Sequence, residues 1–167
     1  MQNLLDLGTH IIGVDPGSRS LGVALVDGAG RPLRSWSVRP SGRTPMLDRQ
    51  RYVAGALRTI FGTLAHEYPG AAVIVEDGIP RYRDVPAVPS VIGTLGEMRG
   101  IIMAEAWRAG LRVRKMSPLT WKCRLSKAER AMKKGADYVA YWRGVLGHDF
   151  RSPDAVDAAL MARRASE

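Results

Sequence analysis

Cysteine is nearly missing from this chain of 167 residues. Cys123 stands alone, which excludes an intramolecular disulfide and any zinc site built from several thiolates. Histidine is scarce too: His10, His66 and His148 are dispersed, with none of the paired spacing that a histidine metal motif needs. No apolar run approaches the ~20 residues that span a bilayer, and no charged-then-apolar leader is seen. Internal repeats and low-complexity tracts are absent as well. The expectation is a soluble, cytoplasmic protein with no membrane partner, folded as a single domain over residues 1–167.

Lysine is also sparse. Only Lys115, Lys122, Lys127, Lys133 and Lys134 occur, so most of the 25 basic residues are arginines. Against 16 acids they leave a net charge of +9. That excess points to a polyanionic partner, nucleic acid first and an anionic membrane surface second. The arginine bias fits a GC-rich or thermophilic source equally well, so charge alone does not decide.

What is present centres on residues 11–27. Ile11 to Val14 is an apolar, β-branched run ending in one acid, Asp15, after which Pro16 and Gly17 turn the chain. Leu21 to Val26 reads as the returning strand. A carboxylate ending an apolar central strand is costly unless its charge is compensated. Metal binding and a structural turn-capping role are both open at this point.

Further along, Leu33 to Arg39 alternates as an edge strand, and Met46 to Tyr68 has helical apolar spacing that Pro69 and Gly70 stop. Ala71 to Glu76 is a short apolar strand that again ends in an acid. Alternation lets at most one of Glu76 and Asp77 share a face with Asp15. Glu76 completes the run and is the better candidate; Asp77 is expected to form a turn. Residues 77–90 hold three prolines, with Arg81, Tyr82 and Arg83 at the tip, a grouping suited to phosphate contact and base stacking or to an ordinary solvated loop.

Val91 to Gly110 reads as a helix with Gly93, Gly96, Gly100 and Ala104 on one stripe. Each glycine in a helix costs about 0.5–1 kcal/mol relative to alanine, which close approach of another backbone would offset. Apolar residues on its other faces suggest burial on several sides, by the sheet and by a subunit partner. Leu111 to Met116 is a fifth strand, and a helix is expected over about 135–146. Ser152 and Pro153 then give a clear helix start, an N-cap followed by proline at the first position. Asp154 and Asp157 follow three apart on one face.

Two strand ends and one helix start thus carry four acids. Carboxylates crowded together cannot all ionise without a cation. Oxygen donors without histidine or cysteine suit Mg²⁺ or Mn²⁺. Two such ions about 3.5–4 Å apart activate water and stabilise the leaving oxygen in phosphodiester hydrolysis.

Gly13-Val-Asp15-Pro-Gly-Ser-Arg-Ser-Leu-Gly22, Val73-Ile-Val-Glu76 and Asp154-Ala-Val-Asp157 resemble the three acidic motifs of the RuvC family of Holliday junction resolvases. The resemblance implies an α/β, ribonuclease H-like fold, with a five-stranded mixed sheet in order 3-2-1-4-5 flanked by helices. It implies a homodimer that nicks two like-polarity strands of four-way junction DNA; the small residues of the glycine stripe, which permit close helix approach, make that helix the expected interface. Asp15, Glu76, Asp154 and Asp157 would be the catalytic, metal-binding acids, with two Mg²⁺ per site and Mn²⁺ as substitute. Lys122 resembles a family lysine beside the scissile phosphate, and Lys133 or Lys134 a second. Branch-migration proteins are the implied further partners, and the setting is the nucleoid, or the host cytoplasm if the gene is viral. One departure follows Glu76, where the family has a junction-probing aromatic: here Ile79 stands near that place and Tyr82 is the nearest aromatic.

Two rival readings are a YqgF-like ribonuclease H-fold nuclease acting on RNA and a non-catalytic junction-binding protein. The acid pair at the last helix and the glycine stripe favour the resolvase over the first; retention of all four acids argues against the second. A kinase-like ATP-binding domain would need a second lobe, for which 167 residues leave no room.

Overall fold

Side-chain alternation along the strands sorts the molecule into two halves. The computed structural model describes residues 9–17, 20–78 and 89–167, the side chains of 89–91 excepted. Its five strands are β1 (His10–Pro16), β2 (Leu21–Asp27), β3 (Pro32–Val38), β4 (Ala72–Glu76) and β5 (Arg112–Met116). They form one mixed sheet in the order β3-β2-β1-β4-β5. The three N-terminal strands meander antiparallel, and β4 and β5 add in parallel beside β1.

On one face Ile12, Val14, Val23, Leu25, Val73 and Val75 meet Val53, Leu57, Phe61 and Leu64 of helix α1 (Met46–Glu67), together with Met98 and Ile102 of helix α2 (Pro89–Arg108). On the other, Ile11, Ala24, Val26, Ala72 and Ile74 meet helix α6 (Pro153–Ser166), backed by Tyr138 and Trp142 of helix α5 (Ala136–Leu146). This second face is built from smaller residues, so α6 lies close to the sheet. Burying a core of this size is the dominant favourable term in folding. None of the helices among the described residues is long and apolar enough to cross a membrane.

Between β5 and α5 the chain makes two helices of five residues each, α3 (Pro118–Lys122) and α4 (Lys127–Ala131). Both are set by their caps. Ser117 accepts from the backbone of Leu119, and Ser126 and Glu129 form a reciprocal capping box. Five residues are too few to show a helical period, which is why neither stands out in the sequence.

Helix α2 differs from expectation. Leu95, Met98, Ile102 and Ala106 are buried, but Gly93, Gly96, Gly100 and Ala104 face outward, with Ile92 and Trp107 also exposed. A Cβ at any of the three glycines would meet nothing within 4 Å among the described residues. Within one chain, therefore, the stripe is not what lets this helix approach its own sheet. The helix is buried on one side only.

Candidate active site

Alternation and register place the first two acids together. Asp15 follows Ile11 and Gly13 on the α6 side of β1, and Glu76 follows Ala72 and Ile74 on the same side of β4. The parallel register pairs Val14 with Val75, so Asp15 and Glu76 stand at adjacent strand ends.

Glycines then admit the helix that carries the other two. A Cβ at Gly13 would lie 1.9 Å from the carbonyl oxygen of Ala158, and one at Gly22 would lie 2.0 Å from that of Asp154. Both neighbours are helix backbone, so only glycine fits where α6 crosses β1 and β2. Gly22 is itself paired with Asp15 across the sheet. The start of α6 is fixed by Ser152, whose hydroxyl accepts from the backbone of Ala155 at 3.2 Å, and by Pro153 at the first turn. Ser20 adds a hydroxyl that donates to Asp154 Oδ2.

Three of the acids converge on one ammonium. Lys134 Nζ is 2.6 Å from Asp157 Oδ2, 3.7 Å from Asp15 Oδ2 and 3.9 Å from Asp154 Oδ1. Asp15 is 8 % exposed and Asp157 2 %, whereas half of the Lys134 side chain is open to solvent. Burial, followed by repulsion from Asp157, pushes Asp15 up to about 8, although Lys134 acts in the opposite direction. Burial disfavours the charge on Lys134, but Asp157, Asp15 and Asp154 outweigh it and hold the ammonium above its ordinary range.

Two aromatic donors complete the arrangement. Tyr138 donates its hydroxyl to Asp157 Oδ1 at 2.5 Å, so both oxygens of that carboxylate are engaged. Burial, then the Asp157 carboxylate, raises the Tyr138 hydroxyl and keeps it protonated as a donor. Trp121, buried in α3, donates Nε1 to Glu76 Oε2 at 3.0 Å. The ammonium of Lys122 lies 4.8 Å from the centre of the same ring. Sequence reasoning passed over both aromatics. The available signals were the position of Trp121 beside Lys122 and the four-residue step from Lys134 to Tyr138, which brings both to Asp157.

Of the paired lysines, Lys134 joins the acids; Lys133 is exposed and has no recorded ion pair among the described residues. Lys122 reaches the site through Trp121 and makes no ion pair with the acids among the described residues. Asp77 differs from its expected turn role. It pairs with Lys115 at 3.6 Å and Arg99 at 3.8 Å, and its N–H donates to Met116. Arg99 also donates to the carbonyls of Glu76 and Gly78, clamping the end of β4. Arg81, Tyr82, Arg83 and Ile79 lie outside the described residues.

The donor set fits a hard divalent cation. All four side chains offer carboxylate oxygen, and among the described residues Lys134 is the one ammonium paired with them, reaching three of the four. Burial first, and then repulsion from the neighbouring carboxylates, raises Asp15, so its charged form calls for a cation beside it. Among the described residues no three donors close around a common ion position; the ammonium of Lys134 stands where three of them converge. Such crowding at the end of a central sheet suits metal-assisted hydrolysis of a phosphodiester.

No protein-family profile matches the chain. A crossover junction endodeoxyribonuclease RuvC from Alkalilimnicola ehrlichii is 35 % identical over 134 residues, covering 78 % of this chain and 74 % of the relative. Its counterpart from Rubrobacter xylanophilus is 30 % identical over 158 residues, covering 91 % and 82 %. Among solved structures, Thermus thermophilus RuvC in complex with a Holliday junction substrate superposes with a TM-score of 0.68 over 93 % of this chain and 91 % of that one, at 24 % identity. Fold, site and relatives agree, and the chain belongs to the RuvC family of crossover junction endodeoxyribonucleases.

Proposed function

We propose that Asp15, Glu76, Asp154 and Asp157 hold two Mg²⁺ ions, with Mn²⁺ as an effective substitute, and that the chain uses them to nick four-way DNA junctions. The observation that carries this reading is the convergence of three buried or half-buried carboxylates on Lys134, with Glu76 beside them on the neighbouring strand. When bound, divalent metal supplies a nucleophile at neutral pH and charge stabilisation at the phosphoryl oxygens.

The protein's part is positional and electrostatic. Tyr138 and Trp121 hold one oxygen each of Asp157 and Glu76, so these carboxylates present fixed edges. Lys134 balances the acids and, being half exposed, is placed to turn toward an incoming phosphate oxygen. Lys122 and Lys133 add positive charge, with Arg81, Tyr82 and Arg83 as further DNA contacts. The glycine stripe on α2, open within one chain, is the proposed homodimer surface. A dimer sets two sites at a fixed separation, as paired nicking requires, on junctions supplied by branch-migration proteins.

Incubation of the purified protein with a synthetic four-way junction and with linear duplex, with and without Mg²⁺, tests the reading. Nicks confined to the junction and to the Mg²⁺ reaction are expected. Asp154→Asn should abolish cleavage while binding stays intact or tightens, because it removes a metal ligand and one negative charge facing phosphate. Cutting by that variant at the normal rate would overturn the assignment.

A further inference from the structure

We propose that a groove of about 770 Å³ beside the acids is a second phosphate-binding site, which grips the DNA backbone leading away from the cut position. This rests on the junction-nicking reading. The groove runs between the end of β3, the start of α5 and the segment preceding α6, and Ser37, Arg39, Arg143, Asp149, Arg151 and Ser152 line it.

Position is the first argument. Cross-strand register places Ser37 opposite Gly22, and Gly22 opposite Asp15. Two strand spacings separate Ser37 from Asp15, roughly 10 Å. On the helical side the groove ends at Ser152 and Pro153, directly before Asp154. A strand whose phosphate sits at the acids therefore passes into this groove within a nucleotide or two.

Charge is the second. Three guanidiniums face one carboxylate, and that carboxylate, Asp149, is already taken by Arg143 at 2.5 Å. Arg39 and Arg151 are exposed and make no ion pair or side-chain hydrogen bond among the described residues. Extended guanidiniums left unpaired beside a polyacidic centre are free to bind phosphate oxygens bidentately. Ser37 and Ser152 are the neutral polar residues of the wall, although the hydroxyl of Ser152 is committed to its helix cap. A DNA backbone is favoured over a small anion because the groove is open and ends at the residues directly before Asp154.

The test is junction binding as a function of salt, in Ca²⁺ to suppress cutting, for the wild-type chain and the double variant Arg39→Ala, Arg151→Ala. Both positions are exposed, so the fold should survive, which circular dichroism checks. Each phosphate contact contributes about 0.9 to the slope of log K against log[salt], so losing two should lower its magnitude by about 2. A control variant, Arg112→Ala with Arg163→Ala, removes the same charge at the other end of the sheet; its slope should be unchanged. Methylphosphonate linkages flanking the cut position should weaken the wild type and leave the groove variant with no further loss. Equal slopes for the wild type and the groove variant would overturn the groove while leaving the resolvase reading intact. Equal loss in both double variants would reduce the effect to bulk charge and overturn it as well. Failure of the wild type to bind junctions at any salt would overturn both readings.

Discussion

Replacing Gly22 by alanine should disable the site without touching any acid. The new Cβ would lie 2.0 Å from the carbonyl oxygen of Asp154 and 2.1 Å from its carbonyl carbon. Ordinary contact begins at 3.4 Å, so about 1.4 Å must be found. Neither partner can yield alone, because one is a central strand and the other the first turn of α6. The helix must retreat as a body, carrying Asp154 and Asp157 away from Asp15. Overpacking of this kind costs about 1–3 kcal/mol, and about 2–4 °C of melting temperature is lost per kcal/mol in a chain of this size. Activity should suffer more, since a misplacement of about 1 Å costs on the order of 100-fold. Thermal unfolding by circular dichroism and single-turnover nicking of a junction measure the two effects. Gly96→Ala is the contrast: with nothing within 4 Å, it should hold or raise the melting temperature, by the helix-propensity gain of about 1 kcal/mol. If Gly22→Ala melts and cuts like the wild type, close approach is not what positions α6.

Tyr138→Phe leaves one oxygen of buried Asp157 without its donor, so stability should fall by about 1.5–3 kcal/mol, and more Mg²⁺ should be needed for half-maximal cutting; an unchanged metal requirement would count against a positioning role. The pH dependence follows from Asp15, which ionises near 3.8 when unfolded and at about 8 when folded. Between those values the folded chain keeps a proton that the unfolded chain has lost, so its stability falls as pH rises through that window. In EDTA the melting temperature should drop from about pH 5 to about pH 8, and Mg²⁺ should restore it; a rise over that range would refute the sign. Gly96→Leu should fold, because the outer face of α2 has room, yet sediment as a monomer with uncoupled or lost cleavage; an active dimer would rule out the stripe as interface.

Much of this architecture could be read from local patterns. Ile11 to Asp15 and Ala71 to Glu76 are short β-branched runs whose period and terminal acids need no distant context, and Ser152 and Pro153 mark the start of α6 by their own capping chemistry. What escaped were contacts made by folding back. Nothing adjacent to Trp121 or Tyr138 reveals that one donates to Glu76 and the other to Asp157. The choice between Lys133 and Lys134 turns on the path of the chain through α4 into α5, which spacing does not encode. Asp77 looked like a turn residue because it follows a strand, but the cations that claim it sit on α2 and β5. The glycine stripe was visible, though which backbone it would admit was not.

The bond from Ser20 to Asp154 closes a loop of 134 positions. Contacts so far apart in sequence carry the entropic cost of closing the intervening chain. A chain with its sheet paired but α6 undocked has Asp15 and Glu76 in place and half of its carboxylates missing. The full set of acids therefore exists only where the first hairpin and the last helix meet, and losing that one contact surface would disarm the site without altering any acid.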